Sequence, residues 1–172
     1  MSLKDIETEF DRLVACIAPI EESNSKRNQV TSFIRNVITS QIQSVLLVEC
    51  GSSALKTYLP EGDLDLILFS RSLELSSNDE MSYLKKVFNA LCDEVVSKED
   101  GTSVHGDMVI RNVEFINART KVTHCIVNNV SIDITVDHSS ALISLLYLEE
   151  IDREIGLNHL FKRSILLIKV IS

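Results

Sequence analysis

The amino-acid sequence predicts a mixed α/β domain in which a mixed β-sheet is flanked by helices. Apolar residues recur at helical spacing over several long segments, the segment 130–136 alternates cleanly between apolar and polar residues, and three strands are expected around 110–116, 119–127 and 130–136. A chain of 172 residues is long enough to bury one core of ordinary size, so one compact domain is expected.

The first forty residues predict two helices. Apolar residues spaced three and four positions apart form a stripe that must end near Pro19, because proline cannot continue a helix. A second stripe with the same spacing runs from Val30 to Ile42. Both segments are therefore expected to be helices with one apolar stripe.

A strand, a tight turn and a second strand follow. The apolar run 45–48 predicts a buried strand, and Gly51 and Ser52 mark the point where the chain leaves the sheet. A short helix is expected to start at Ser53. The second strand begins at Asp63, where residues alternate between carboxylates and leucines.

The second half of the chain alternates between helices and strands. The polar run 76–79 is expected to cap a third helix, and the acidic stretch 97–101 predicts a loop. Asn128–Asn129 predicts a hairpin turn between the last two strands. Helices at about 139–152 and 159–171 close the chain, and the last one is apolar on nearly every face.

Gly51, Ser52 and Ser53 have the composition of a phosphate-binding turn. Backbone N–H groups at a helix start attract phosphate oxygens, and a glycine lets the backbone approach them without a Cβ in the way. The two serine hydroxyls can donate further hydrogen bonds. A glycine and a serine after a strand are more often only a turn, so this pattern gains weight from the carboxylates that follow it.

Three carboxylates lie on predicted strands. Asp63 and Asp65 are two residues apart, so their side chains share one face of a strand, opposite the leucines. Asp133 lies in the middle of the last alternating strand, on its polar face. Each is more often a solvated strand residue when it occurs alone. Together they are the type of cluster that holds two divalent cations, Mg²⁺ or Mn²⁺.

These motifs resemble the signature of the DNA polymerase β-like nucleotidyltransferase superfamily. The segments that carry the resemblance are Gly51–Ser52, the run 59–66 and the run 131–134. The chain is most similar to the branch of poly(A) polymerases, terminal uridylyltransferases and 2′-5′-oligoadenylate synthetases, including plant proteins of that type. The resemblance runs from about Val30 to the C-terminus, and the segment 161–169 resembles the opening of the helical module that follows the catalytic domain.

The resemblance implies a domain organisation. Residues 1–40 would form an N-terminal helical arm, 41–155 the catalytic palm domain, and 156–172 the start of a helical substrate-binding module. Since most of that module is missing, the chain is expected to be a fragment or a shortened product of a longer enzyme. The alternative is that a protein partner covers the last helix.

The resemblance also implies a reaction and the residues that serve it. A nucleoside monophosphate would pass from a nucleoside triphosphate, ATP or UTP, to an RNA 3′-OH. Asp63, Asp65 and Asp133 would bind two Mg²⁺ or Mn²⁺ ions. Gly51, Ser52 and Ser53 would bind the triphosphate, for which Lys169 matches a further contact. At this length, activity is expected to be weak or absent.

Two other classes of function remain open. The chain could be an inert regulatory or dimerising module derived from such a domain. A sugar-transferring enzyme could also use Asp63 and Asp65 to hold a metal-nucleotide, but it would need neither Gly51–Ser52 nor Asp133.

Composition constrains partners and compartment. The formal net charge of −8 argues against a broad surface for nucleic-acid backbones, so RNA contacts would be local. Four cysteines without a Cys-x-x-Cys spacing predict neither a disulfide framework nor a zinc site. The N-terminus lacks the apolar core of a secretory signal, and no apolar run is long enough for a bilayer of about 20 residues. We therefore expect an intracellular protein, nuclear or cytoplasmic, without membrane contact.

Overall fold

The computed structural model describes residues 3–70, 77–137 and 139–171. This part of the chain contains six helices and five strands. In chain order they are α1 (Leu3–Ile17), α2 (Glu21–Gln41), β1 (Val45–Cys50), α3 (Gly51–Leu55), β2 (Leu64–Ser70), α4 (Ser77–Glu99), β3 (Ile110–Asn117), β4 (Lys121–Val127), β5 (Val130–Val136), α5 (Ser139–Ile155) and α6 (Leu160–Ile171).

The five strands form one mixed sheet in the order β1-β2-β5-β4-β3. β2 and β5 are parallel, and the other three neighbouring pairs are antiparallel. The predicted fold class, a mixed sheet flanked by helices, is confirmed. The parallel pair at the centre matters most for function, because it joins two strands that lie far apart in the sequence.

One face of the sheet forms the main core with α2 and α4. The alternating leucines of β2 and the alternating isoleucines of β5 point into this core and are fully buried. They pack against apolar residues of both helices, among them Val30, Ile34, Ile38, Leu84, Val87 and Leu91. Because strand side chains alternate between faces, Asp65 and Asp133 lie on the opposite face of the sheet.

The structure corrects three predicted element boundaries. α2 begins at Glu21, nine residues before the predicted stripe, because its first turns are mostly exposed and polar and show no apolar periodicity. α3 begins at Gly51 instead of Ser53 and ends at Leu55, after which Lys56 takes a left-handed conformation with φ of 60°.

The third correction concerns α4, which continues to Glu99 through residues expected to form a loop. Lys98 lies four residues after Glu94 and 4.0 Å from it, a spacing at which opposite charges support a helix. The polar run expected to cap α4 begins at Ser76, which is outside the described residues. The Asn128–Asn129 turn is observed, with both residues at positive φ as a tight hairpin requires.

α2 contributes to the same core as the sheet, through Val30, Phe33 and Ile34 among others. The proposed division of the chain at residue 40 stays a prediction. Within the described ranges, none of the helices combines the length and the apolar character needed to cross a membrane.

Candidate active site

Two of the three predicted carboxylates lie side by side at the centre of the sheet. In the parallel pairing of β2 and β5, Asp65 is directly opposite Asp133. Both side chains are half-buried and both line one cavity of about 470 Å³. The fold therefore brings together two acids that are 68 positions apart, counting from residue 65 to residue 133.

Gly51 contacts the first of these carboxylates. It follows β1 directly and has a φ of +62°, a conformation that favours glycine. A Cβ added at this position would lie only 2.1 Å from Asp65 Oδ2. The turn and the carboxylate thus fit together only when residue 51 has no side chain, which the sequence alone did not reveal.

The cavity is lined by polar and apolar residues from several elements. Gly51 and Ser52 line it together with the two carboxylates. Its apolar lining from α3, α5 and α6 consists of Leu55, Ala141, Leu145, Leu148 and Ile165. A mainly apolar cavity with a small number of polar groups is typical of small-molecule sites.

Asp63 and Ser53 are placed differently from these cavity residues. Asp63 lies just before β2, is exposed, and is not among the residues that line the cavity. Ser53 is fully buried, and its hydroxyl has no hydrogen-bond partner. A direct contact of either residue with a metal or a phosphate stays a prediction.

Lys169 brings a positive charge to the cavity from α6. Its Nζ donates a hydrogen bond to the carbonyl oxygen of Thr57 over 2.9 Å. Thr57 itself donates its backbone N–H to the carbonyl oxygen of Ser52. The lysine is therefore attached to the chain segment that follows the predicted phosphate-binding turn.

The carboxylates perturb one another. Burial raises the pKa of the Asp65 carboxyl above its usual value, and the negative charges of Asp133 and Asp63 raise it further. The positive charges of Lys169 and Arg27 act in the opposite direction. A carboxyl with a raised pKa among other acids is a frequent property of functional sites.

Cys50 is not a candidate nucleophile, although it lines the same cavity. Burial, followed by the charges of Asp65 and Glu49, raises the pKa of its thiol to about 12. The thiolate is the reactive form, so this cysteine is unreactive at neutral pH.

A buried arginine holds the loop that leads to the carboxylates, and sequence reasoning missed it. Arg27 of α2 is 3% exposed and donates to the carbonyl oxygens of Gly62, at 2.5 Å, and Asp63, at 3.2 Å. Its guanidinium also lies 3.8 Å from the ring centroid of Tyr58. The sequence contains little indication of this role, because Arg27 lies in a polar stretch and contacts residues more than thirty positions away.

Sequence reasoning also missed His124. It lies on β4, directly opposite Asp133 on β5, and its Nδ1 is 2.7 Å from Asp133 Oδ1. The useful signal was the strand register, which places position 124 opposite position 133 across the Asn128–Asn129 turn.

The donor chemistry of the cavity fits a hard divalent cation. Within the ranges that the structure describes, no three His, Cys, Asp or Glu side chains converge closely enough to hold a metal ion. Asp65 and Asp133 nevertheless line one cavity, and after burial the negative charge of Asp133 is the next cause that raises the pKa of Asp65. Carboxylate oxygens are the ligands that Mg²⁺ and Mn²⁺ prefer, and a cation between these two would relieve the repulsion.

Comparison with known proteins defines the fold. No family model and no curated protein sequence matches this chain. Among solved structures, the chain is similar to the Cid1 poly(U) polymerase with MgGTP bound, at 16% identity and a TM-score of 0.75, over 98% of this chain and 48% of that one. It is also similar to a cytoplasmic RNA terminal U-transferase, at 16% identity and a TM-score of 0.75, over 97% of this chain and 46% of that one.

A third similar structure is that of the GLD-2/RNP-8 complex, at 13% identity and a TM-score of 0.70, over 84% of this chain and 42% of that one. The chain thus spans slightly less than half the length of each of these structures. At such low identity the comparisons establish the architecture and no more. The chain has the fold found in one half of these proteins.

Proposed function

We propose that this chain carries the catalytic half of a terminal nucleotidyltransferase, which transfers a nucleoside monophosphate from a nucleoside triphosphate to an RNA 3′-OH. One observation carries the proposal. Asp65 and Asp133 lie in register on neighbouring strands, and Gly51, which packs against Asp65, lines the same cavity. If the turn binds phosphate as proposed, the triphosphate and the pair of carboxylates would share one space, as the reaction requires.

Each side chain has a role in this proposal. Asp65 and Asp133, with Asp63 from the preceding turn, would hold Mg²⁺ or Mn²⁺. The bound cation would neutralise phosphate charge and lower the pKa of the attacking hydroxyl. Ser52 would donate its hydroxyl to the triphosphate, and Lys169 would supply positive charge to it.

The rest of the cavity would orient the substrate. Thr57 holds Lys169 through its carbonyl oxygen, so the lysine is already fixed near the phosphate end. The apolar side chains of Leu145, Leu148 and Ile165 would contact the ribose or the base and exclude water. Alignment and charge neutralisation account for most of the rate in such phosphoryl transfers.

The substrates named for similar structures support this assignment. Structures of Cid1 were solved with the UTP analog UMPNPP and with its short product ApU. By this analogy the donor would be UTP or ATP, and the acceptor an RNA 3′ end.

The test is nucleotide addition to a labelled RNA oligonucleotide, with each of the four nucleoside triphosphates and with Mg²⁺ or Mn²⁺. We expect extension that depends on the divalent cation, and its complete loss in Asp65→Asn and Asp133→Asn. Extension that survives both substitutions would refute the proposal. Calorimetric titration of Mg-nucleotide, in parallel, separates loss of binding from loss of chemistry.

A second candidate is an inert regulatory or dimerising module. The observation in its favour is the number of exposed apolar side chains on the last two helices, which include Ile143, Leu146 and Tyr147 of α5 and Ile168 and Ile171 of α6. Exposed apolar surface of this kind often marks an interface. Failure of the chain to bind any Mg-nucleotide, together with self-association in analytical ultracentrifugation, would favour this candidate.

A further inference from the structure

His124 is in contact with the site but belongs to a different strand from either cavity carboxylate. Its ring Nδ1 and Asp133 Oδ1 are 2.7 Å apart, a short distance for a nitrogen–oxygen hydrogen bond. The two residues are direct partners in the antiparallel pairing of β4 and β5. Their side chains are 23% and 36% exposed, so the bond is partly shielded from water.

The direction of this hydrogen bond follows from the chemistry of the acceptor. An ionised carboxylate can only accept, so the hydrogen must lie on His124 Nδ1. The bond engages one of the two oxygens of Asp133 and restricts rotation of the carboxylate about its side-chain bond.

The hairpin does not need this bond to form. Its register is already set by the Asn128–Asn129 turn and by buried residues on the other face of β4 and β5. A polar pair across two strands contributes only about 0.2–1 kcal/mol to a sheet. The hydrogen bond therefore has a small effect on the fold and a direct effect on the position of Asp133.

We propose that His124 is a positioning residue, which holds Asp133 in the orientation that binds a divalent cation in the cavity. This inference rests on the proposed function, since it assumes that Asp65 and Asp133 are the cation ligands. Carboxylates that bind metals are usually oriented by hydrogen bonds from a surrounding layer of residues, and loss of such a bond typically lowers metal affinity about 10–100-fold.

Two substitutions separate the hydrogen bond from the bulk of the ring. His124→Phe keeps a ring of similar size and removes the donor. His124→Asn places an amide N–H at the position of Nδ1 and so keeps the donor. His159→Phe is the matched control, because His159 makes the same type of bond, Nδ1 to Asp152 Oδ2 at 2.6 Å, away from the cavity.

The primary measurement is Mn²⁺ binding, followed through the electron paramagnetic resonance signal of free Mn²⁺. We expect His124→Phe to weaken binding about tenfold or more, and His124→Asn to restore most of the affinity. His159→Phe should bind as the wild type does. Thermal melting without metal should differ little between the two His124 variants, which excludes a folding defect as the cause.

Transfer activity provides an independent measurement. In His124→Phe the Mg²⁺ concentration for half-maximal activity should rise, while the rate at saturating Mg²⁺ falls much less. A residue with only a structural role would lower the rate at every Mg²⁺ concentration. Wild-type Mn²⁺ affinity in His124→Phe would overturn the inference, as would equal loss in His124→Asn and His124→Phe.

Asp65→Asn and Asp133→Asn distinguish this failure from failure of the proposed function. If these variants lose Mn²⁺ binding and His124→Phe does not, the carboxylates are the ligands and only the positioning role is wrong. If both bind Mn²⁺ as the wild type does, or if the wild type binds none, the proposed metal site is wrong and the role of His124 is overturned with it.

Discussion

Substitution of Gly51 by alanine tests whether the turn and the carboxylate form one site. The new Cβ would lie 2.1 Å from Asp65 Oδ2 and 3.0 Å from Asp65 Cγ. Separations below 3.0 Å are essentially never observed for a real Cβ, so one group must move by about 1 Å, a displacement that can lower a rate about 100-fold. The Asp65 carboxylate is the freer of the two, and we expect it to rotate out of the cavity.

Two contributions set the expected loss of stability. The left-handed conformation of Gly51, with φ of +62°, disfavours alanine by about 1–2 kcal/mol. Displacement of Asp65 adds to this value. For a domain of this size, each kcal/mol lowers the melting temperature by about 2–4 °C. We therefore expect Gly51→Ala to melt at least several degrees lower and to lose nearly all transfer activity and Mn²⁺ binding.

Gly156→Ala is the control, because Gly156 has a φ of +64° and no atom within 4 Å of an added Cβ. Gly156→Ala should lose only the stability that alanine costs in a left-handed conformation, and its Mn²⁺ affinity should equal that of the wild type. In an Asp65→Ala background the two shortest contacts are absent and only the Cβ of residue 65 remains, at 3.3 Å, so the destabilisation by Gly51→Ala should fall towards that of Gly156→Ala. Full activity and Mn²⁺ binding in Gly51→Ala would refute the proposed contact between turn and carboxylate.

The other predictions concern Asp65 and Arg27. The pKa of Asp65 is raised in the folded protein, so above its ordinary value of 3.8 the folded state retains a proton that the unfolded state has released. The free energy of unfolding contributed by this group therefore falls as the pH rises through that range. Without metal, Asp65→Asn should have a higher melting temperature than the wild type at neutral pH, and calorimetry should show this difference in melting temperature vanish as the pH approaches 3.8. A rise in melting temperature that is the same at every pH would contradict this. Arg27→Lys keeps the charge but loses the forked donor to Gly62 and Asp63. It should lower stability by about 1–3 kcal/mol and reduce transfer, whereas Arg12→Lys, at an exposed ion pair with Glu9, should change neither. Denaturant unfolding and the RNA extension assay test this pair, and equal behaviour of the two variants would exclude a role for Arg27.

Strand periodicity in the sequence predicted the core face of β2 and of β5. Leu64, Leu66, Ile132 and Ile134 are fully buried on that face, and Ile67, on the face of Asp65, is fully buried as well, which alternation did not predict. Such patterns are readable because the period of a strand is local and one face of each strand must leave water. The same locality explains the errors, since the exposed first turns of α2 have no apolar period to read.

Only the tertiary structure decided which residues meet at the site. The pairing of β2 with β5 joins Asp65 to Asp133, and nothing in either segment specifies its partner strand. Arg27 reaches Gly62 and Asp63 from a helix 35 residues away, and Lys169 reaches Thr57 over 112 residues. Such contacts depend on how the helices pack on the sheet. Sequence periodicity therefore predicted the faces on which the acids lie, while packing determined which groups position them.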